Sequence, residues 1–158
     1  LVRTDLARIA RDVVTDLETA IAESGGRVEI GTLPVIDADA LQMRQLLQNL
    51  LGNALKYRRR DVPPVVRLSG VSAGGRNCTI TIADNGIGFN EQHAGKIFRM
   101  FVRLHGRAEY DGSGIGLAIC RKIVERHDGT ITATGIPGQG ATFTVTLPVA
   151  QAATGYLQ

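Results

Sequence analysis

A strand that ends in a carboxylate and runs straight into two glycines constrains this chain more than any other feature. The alternation Cys78-Thr79-Ile80-Thr81-Ile82-Ala83 reads as a strand, and Asp84-Asn85-Gly86-Ile87-Gly88-Phe89 follows it without a break. Downstream, Gly112-Ser113-Gly114-Ile115-Gly116-Leu117 opens a helical pattern over residues 117–124. Glycines admit positive φ and let a ligand approach the backbone closely. At a helix start they also leave N–H groups free to meet an anion. A carboxylate before one glycine turn, with a glycine-rich helix start after it, suggests a nucleotide site with separate ends for base and phosphates. An Asp before Asn-Gly is also plain turn chemistry. Either run alone is weak, and the case rests on both together with an asparagine-bearing helix upstream.

That helix is expected from a cap at Asp37 or Asp39 to about Tyr57, with Leu41, Leu46, Leu47, Leu50, Leu51, Ala54 and Leu55 as its buried face. Gln45, Asn49, Asn53 and Lys56 recur at i, i+4, i+8 and i+11 and form a second, polar stripe. Asn is a middling helix former, because its amide competes for the backbone. The stripe is either a solvated face or, if the helix packs on the glycine-bearing sheet, a border of that site. An amide oxygen is a hard ligand suited to Mg²⁺, and a Lys one turn on can meet phosphate as a point charge.

The remaining elements follow from periodicity. Leu6, Ile9, Ala10, Val13, Val14, Leu17 and Ile21 predict one amphipathic helix, capped by Thr4 and ended by Gly25-Gly26. Val28 and Ile30 suggest a short strand, and residues 33–36 an extended piece broken by Pro34. Residues 65–73 and 77–83 read as a hairpin through Gly74-Gly75, residues 91–98 as a short helix, and residues 115–127 as a longer one ended by Gly129. That longer helix is expected to bury Ile115, Ala118, Ile119, Ile123 and Val124. Residues 130–134 and 142–147 close the chain as a hairpin with Gly138-Gln139-Gly140 in its loop, and Pro148 ends the last strand. Residues 102–111 are polar and aperiodic and lie between the glycine runs, where a mobile lid would sit. Residues 151–158 read as a frayed tail after a single domain over 1–150.

Composition excludes several classes. The chain of 158 residues is 44% apolar and 21% charged, as in a soluble globular domain. No apolar run approaches the roughly 20 residues needed to span a bilayer, so no direct membrane contact is expected. Net charge is +3 and Trp is absent. The only basic cluster, residues 56–60, is too short for a nucleic-acid face. Cys78 and Cys120 sit inside apolar patterns rather than at metal or redox spacings, which favours buried reduced thiols over a disulfide and suits a cytoplasmic setting.

In order along the chain, these blocks resemble the catalytic ATP-binding domain of sensor histidine kinases, of the superfamily shared with DNA gyrase, mismatch-repair ATPases and heat-shock chaperones. Residues 45–57, QLLQNLLGNALKY, look like its asparagine box, and Asp84-Asn85-Gly86-Ile87-Gly88 looks like its first glycine box. Ile97-Phe98-Arg99-Met100-Phe101 looks like its phenylalanine box, and residues 112–117 like the second glycine box. Gly138-Gln139-Gly140-Ala141-Thr142-Phe143 looks like the third. The resemblance covers about residues 4–148. Arg103-Leu104-His105-Gly106-Arg107 and residues 119–127 look most like phytochrome-like sensory kinases.

The resemblance implies an α+β fold, a two-layer sandwich of one mixed sheet with helices on one face, of the Bergerat type. It implies ATP and Mg²⁺ as ligands. Asp84 would accept from the adenine 6-amino group, Asn53 would hold the metal, Asn49 would line the same site, Lys56 would meet phosphate and Tyr57 would bound the nucleotide. Gly86, Ile87 and Gly88 would border the base end. Gly112, Ser113, Gly114, Ile115, Gly116 and Leu117 would approach the phosphates, joined by Arg103 and His105 from the lid. Thr142 would complete the adenine end through water. Asp128 stands where the family commonly has Gly, with a surface effect expected.

His93, His105 and His127 are the histidines, and none has the acidic and apolar context of a phosphoacceptor helix. The partners implied are therefore a phosphoacceptor and dimerisation domain of the same parent and a downstream response regulator, the present chain being a monomer. Hydrolysing relatives carry a Glu one turn before the metal-binding Asn. Here Asn49 stands there, and an amide cannot take a proton. An ATPase or serine kinase of the same superfamily, or a degenerate nucleotide-binding module, remain the competing readings.

Overall fold

The structure, a computed structural model, describes residues 1–72, 75–94, 96–98 and 116–150. Strand β1 (Val2–Asp5) pairs antiparallel with β3 (Val35–Ala38), Thr4 opposite Ile36. Thr4 is thus a strand residue and not the expected cap. Its hydroxyl lies 2.8 Å from Val2 O and 3.2 Å from Ala38 O. The cap is Asp5, whose carboxylate accepts from the N–H groups of Ala7 and Arg8. A β-branched Thr suits the strand, and the longer reach of Asp suits the cap. The single helix expected to Ile21 is two. Helix α1 (Leu6–Asp16) stops at Leu17, whose N–H is shared between Val13 O and Val14 O, and α2 (Glu18–Ser24) continues to a left-handed Gly25. Val13, Val14 and Thr15, three β-branched residues in a row, immediately precede the break.

The main sheet has the order β2-β4-β5-β7-β6. Strand β2 (Arg27–Ile30) runs parallel to β4 (Val65–Val71). The other neighbours, β5 (Asn77–Asp84), β7 (Gly140–Pro148) and β6 (Thr130–Ile136), are antiparallel. Alternation sends Leu68, Cys78, Ile80, Ile82, Phe143, Val145 and Leu147 to one buried face. Thr79, Thr81, Thr144 and Thr146 go to the other face and remain half-exposed. The fold is therefore α+β, with a mixed sheet covered by helices on one side.

Helix α3 (Ala40–Lys56) supplies most of the covering layer through Met43, Leu46, Leu47, Leu50, Leu51, Ala54 and Leu55, and Asp39 caps it by accepting from Gln42 N. Leu41, expected in that stripe, is 77% exposed. It lies two residues before Met43, about 200° around the helix at 3.6 residues per turn, and Met43 takes the core position. Helix α4 (Gly116–Arg126) runs antiparallel to α3, with Cys120 against Leu46 and His127 against Asp39. Cys78 and Cys120 are both free and buried. Burial pushes both thiols up, Cys120 to about 12, so neither is a reactive thiolate.

His127 does work that the sequence did not signal. Its ring is buried, Nε2 accepts the Asp39 N–H at 3.1 Å, and Nδ1 therefore carries the proton 2.8 Å from Ile123 O. It fastens the end of α4 to the start of α3. The helix expected over residues 91–98 reduces to one 3₁₀ turn, Glu91–His93, capped by Asn90. Among the described residues no helix is long and apolar enough to cross a membrane. The lid expected over residues 102–111 and the tail expected over 151–158 lie outside the described residues.

Asp128 follows α4 with φ 59°, a left-handed conformation. The next residue cannot relieve it, because a Cβ on Gly129 would lie 2.2 Å from Thr146 O. Asp128 is exposed, as expected, but the position carries a backbone penalty that glycine avoids. Asp128→Gly should stabilise the chain by about 0.5–1 kcal/mol in denaturant titration; an unchanged or lower midpoint would contradict this.

Candidate functional site

The end of β5 enters a junction built almost entirely of backbone. Gly86 lies against the C-terminal cap of α3, where a Cβ would sit 2.6 Å from Tyr57 O, and Ile87 N donates to that same oxygen at 3.0 Å. Gly88 has φ +65°, and a Cβ there would meet Ile136 O at 2.1 Å. Gly138 N donates to Ile87 O at 2.7 Å, and a Cβ on Gly140 would lie 2.0 Å from Asp84 O. Gly86 and Gly88, expected among the nucleotide-binding residues, are buried against protein backbone. They are glycine because three chain segments must touch; Ile87 between them is half-exposed.

Asp84 is the last residue of β5 and shares the helix-covered face with Ile82. Its Oδ1 accepts from Gly86 N at 2.8 Å and from Ala141 N at 3.3 Å. Among the described residues nothing bonds Oδ2, so one carboxylate oxygen is fixed and the other is open to a donor. Burial raises the carboxyl above its usual range, and the two N–H groups pull it partly back. Thr142, expected beside it, pairs with Ala83 and faces the opposite side of the sheet with Thr144 and Thr146. Both residues border a shallow cavity of about 260 Å³ at the β6–β7 turn, but the pleat aims their side chains apart. Ala141 is the β7 residue on the Asp84 face.

The cap of α3 reaches this junction through Tyr57 O, and the polar stripe runs back from there along the helix. Gln45 is exposed, while Asn49, Asn53, Lys56 and Tyr57 are half-buried. Asn49 Nδ2 is buried and meets no strict hydrogen-bond geometry among the described residues, and its amide lies against the Cys120 thiol. The Asn49 Oδ1 lies 3.7 Å from where a Gly116 Cβ would be, so the stripe faces the first turn of α4. There Gly116 and Leu117 are the first described residues of α4. The Asn53 side chain makes no hydrogen bond among the described residues, and Lys56 Nζ stands 5.5 Å from the Tyr57 ring centre. No group of three or more His, Cys, Asp or Glu among the described residues could hold a metal. An ion here would rest on amide oxygen. Arg103, His105, Gly112, Ser113, Gly114 and Ile115 lie outside the described residues.

Two contributors were missed by sequence reasoning. The Ala141 N–H is a backbone donor and leaves no mark in a sequence. Asn85 does: an Asn inside a glycine turn commonly uses its amide locally, and here it bonds Val65 N and Pro63 O.

The upward shift of Asp84 has a stability consequence. The folded chain keeps this proton to higher pH than the unfolded chain does, so stability falls as pH rises through that window. Asp84→Asn keeps an acceptor for both N–H groups and removes the buried charge. It should raise the unfolding midpoint at pH 7 by about 2 °C, a sub-kcal/mol effect in a chain of this size, and give no gain at pH 3. A gain that persists unchanged at pH 3, or a lower midpoint at pH 7, would contradict this.

Comparison with known proteins follows the same lines. A family model described as histidine kinase-, DNA gyrase B-, and HSP90-like ATPase matches residues 38–151. The chain is 38% identical over 146 residues to the phytochrome-like protein Cph1 of a Synechocystis species, covering 92% of this chain and 19% of Cph1. It is 37% identical over 155 residues to the adaptive-response sensory kinase SasA of Parasynechococcus marenigrum, covering 94% of this chain and 39% of SasA. It therefore spans about a fifth of the one and two fifths of the other. The crystal structure of full-length ShkA in complex with AMPPNP superposes with a TM-score of 0.82 at 31% identity, over 97% of this chain and 32% of that one.

Proposed function

The chain belongs to the family of histidine kinase-, DNA gyrase B-, and HSP90-like ATPases, and on that premise we propose that it binds Mg-ATP and donates the γ-phosphoryl group to a histidine. That histidine would be carried on a phosphoacceptor and dimerisation domain of the same parent, in two-component signalling in the cytoplasm, with a response regulator downstream and this chain a monomer over a single domain, 1–150, with a tail at 151–158. The observation that carries the reading is the half-buried carboxylate of Asp84, held through one oxygen by two backbone N–H groups where the end of β5 meets the cap of α3. Adenine presents an amino donor where guanine presents a carbonyl acceptor. A carboxylate fixed by one oxygen accepts from the first and repels the second.

The phosphate end falls to α3 and the start of α4. The Asn53 amide oxygen, which has no hydrogen bond among the described residues, suits Mg²⁺, which favours oxygen ligands and keeps part of its shell as water and phosphate. When bound, that ion supplies charge neutralisation across the phosphates. Lys56 meets the phosphates as a point charge, Tyr57 bounds the nucleotide, and the leading N–H groups of α4 at Gly116 and Leu117 point at anionic oxygen. Asn49 lines the same space, its Oδ1 turned toward Gly116. Arg103, His105, Gly112, Ser113, Gly114 and Ile115 join this end on the resemblance alone. Thr142 is left out, because its side chain faces away from Asp84. AMPPNP in the ShkA complex supports the nucleotide assignment.

The chemistry then needs little from the protein beyond placement. A neutral imidazole is already nucleophilic near pH 7. It attacks the γ-phosphorus in line, an N–P bond forms as the bond to the β-phosphate bridging oxygen breaks, and ADP leaves. A water attacking in its place would need a base, and Asn49 offers only an amide.

The test is to supply the chain with Mg-ATP and the parent's phosphoacceptor domain. Acid-labile, base-stable phosphoprotein is expected. Acid-stable phosphoprotein would move the reading to a serine kinase, and phosphate release without protein labelling to an ATPase. Asn49→Glu should raise phosphate release about tenfold or more, the scale of a general base; an unchanged rate would remove Asn49 from the account of why hydrolysis is slow.

A further inference from the structure

The proposed ligand has two ends, and something must hold the Asp84 end at a fixed distance from the α3 end. Main-chain contacts do part of this, through Tyr57 O with Ile87 N and Gly86. The Asn85 and Arg59 side chains do the rest. The Asn85 Oδ1 accepts from Val65 N at 2.9 Å and its Nδ2 donates to Pro63 O at 3.2 Å, so the amide grips both sides of Pro64. Proline has no N–H of its own, and this corner has few other ways to satisfy those groups. On the opposite side Arg59 Nε donates to Asn85 O at 2.9 Å. The segment leaving α3 is thereby clasped to the residue next to Asp84 at three points. Pro64 O also accepts from Arg27 N, which extends the clasp to the edge strand β2.

We infer that Asn85 is a positioning residue that sets the spacing between the base end and the phosphate end of the nucleotide site. The inference rests on the nucleotide reading given above. Asn85 touches neither end itself. Asp84 keeps its own bonds to Gly86 N and Ala141 N without it. Loss of the amide therefore leaves the base end assembled and loosens the segment that follows α3, so that Asn53 and Lys56 are held relative to it by the Tyr57 main-chain contacts and the Arg59 bond alone.

A ligand spanning both ends should suffer while one reaching only the base end should not. Binding of Mg-ADP and of adenosine is measured by NMR titration on wild type, Asn85→Ala and Asn85→Asp. Asn85→Asp keeps the acceptor for Val65 N but sets an oxygen against Pro63 O. Both variants should lose Mg-ADP affinity about tenfold or more, the scale of a misplaced binding group, with adenosine affinity held within about twofold. Equal losses for the two ligands, or none, overturn the inference while leaving the nucleotide reading intact. A wild type that binds neither ligand overturns both. Should neither Asn85 variant fold, Arg59→Ala loosens the same clasp from outside, and it must shift the ADP-to-adenosine ratio in the same direction or the inference fails.

Discussion

Three pieces of backbone meet at the end of β5 with no side chain between them, and the site exists because they can. Tyr57 O, Asp84 O and Ile136 O each stand where a Cβ on a neighbouring glycine would have to be. The contact places the last turn of α3, the exit of the central strand and the β6–β7 turn within hydrogen-bonding reach of one another. A methyl group at Gly86, Gly88 or Gly140 would push one of them away, and backbone cannot yield as a flexible side chain can. The glycines of this motif therefore act first on the protein and only through it on any ligand.

Around that junction the chain leaves polar groups incompletely satisfied. The half-buried Asp84 carboxylate has one oxygen without a partner among the described residues, and the buried Asn49 amide nitrogen has only the Cys120 thiol beside it; both weaken the fold in isolation. The first stands at the end of β5, where Tyr57 O of the α3 cap meets Ile87 N, and the second lies further back along α3, facing Gly116 of α4. A ligand with a donor at one end and anionic oxygen at the other would satisfy both. His127 and Asn85 complete the arrangement at longer range, the first joining the far ends of α3 and α4, the second clasping the segment that leaves α3.

The architecture was largely legible because strand alternation and the leucine stripe of α3 are strong, local signals. Its errors were local too. Thr4 and Asp5 compete for one cap, and only tertiary pairing with β3 decides between them. Leu41 is apolar but sits on the wrong side of its helix once Met43 fixes the stripe. For the candidate site, residue type and spacing single out Asp84, Asn49, Asn53 and Lys56, whereas Thr142 pairs with Ala83 and so faces the other side of the sheet from Asp84. The role of Gly86 and Gly88 was legible only as freedom, and the backbone atoms they clear had to be seen. Asn85 and His127 act through partners far away in sequence, 20 and 88 residues respectively for Val65 and Asp39.

The most direct measurement is calorimetric titration of the chain with Mg-ADP, and with the guanine counterpart, for wild type and Asp84→Asn. The account predicts saturable ADP binding by wild type, far weaker binding of the guanine nucleotide, and loss of most ADP affinity in a variant that is folded and no less stable. Wild-type protein that is folded and binds no ADP, or an Asp84→Asn variant that binds it as well, would contradict the assignment of this junction as the adenine end of a nucleotide site.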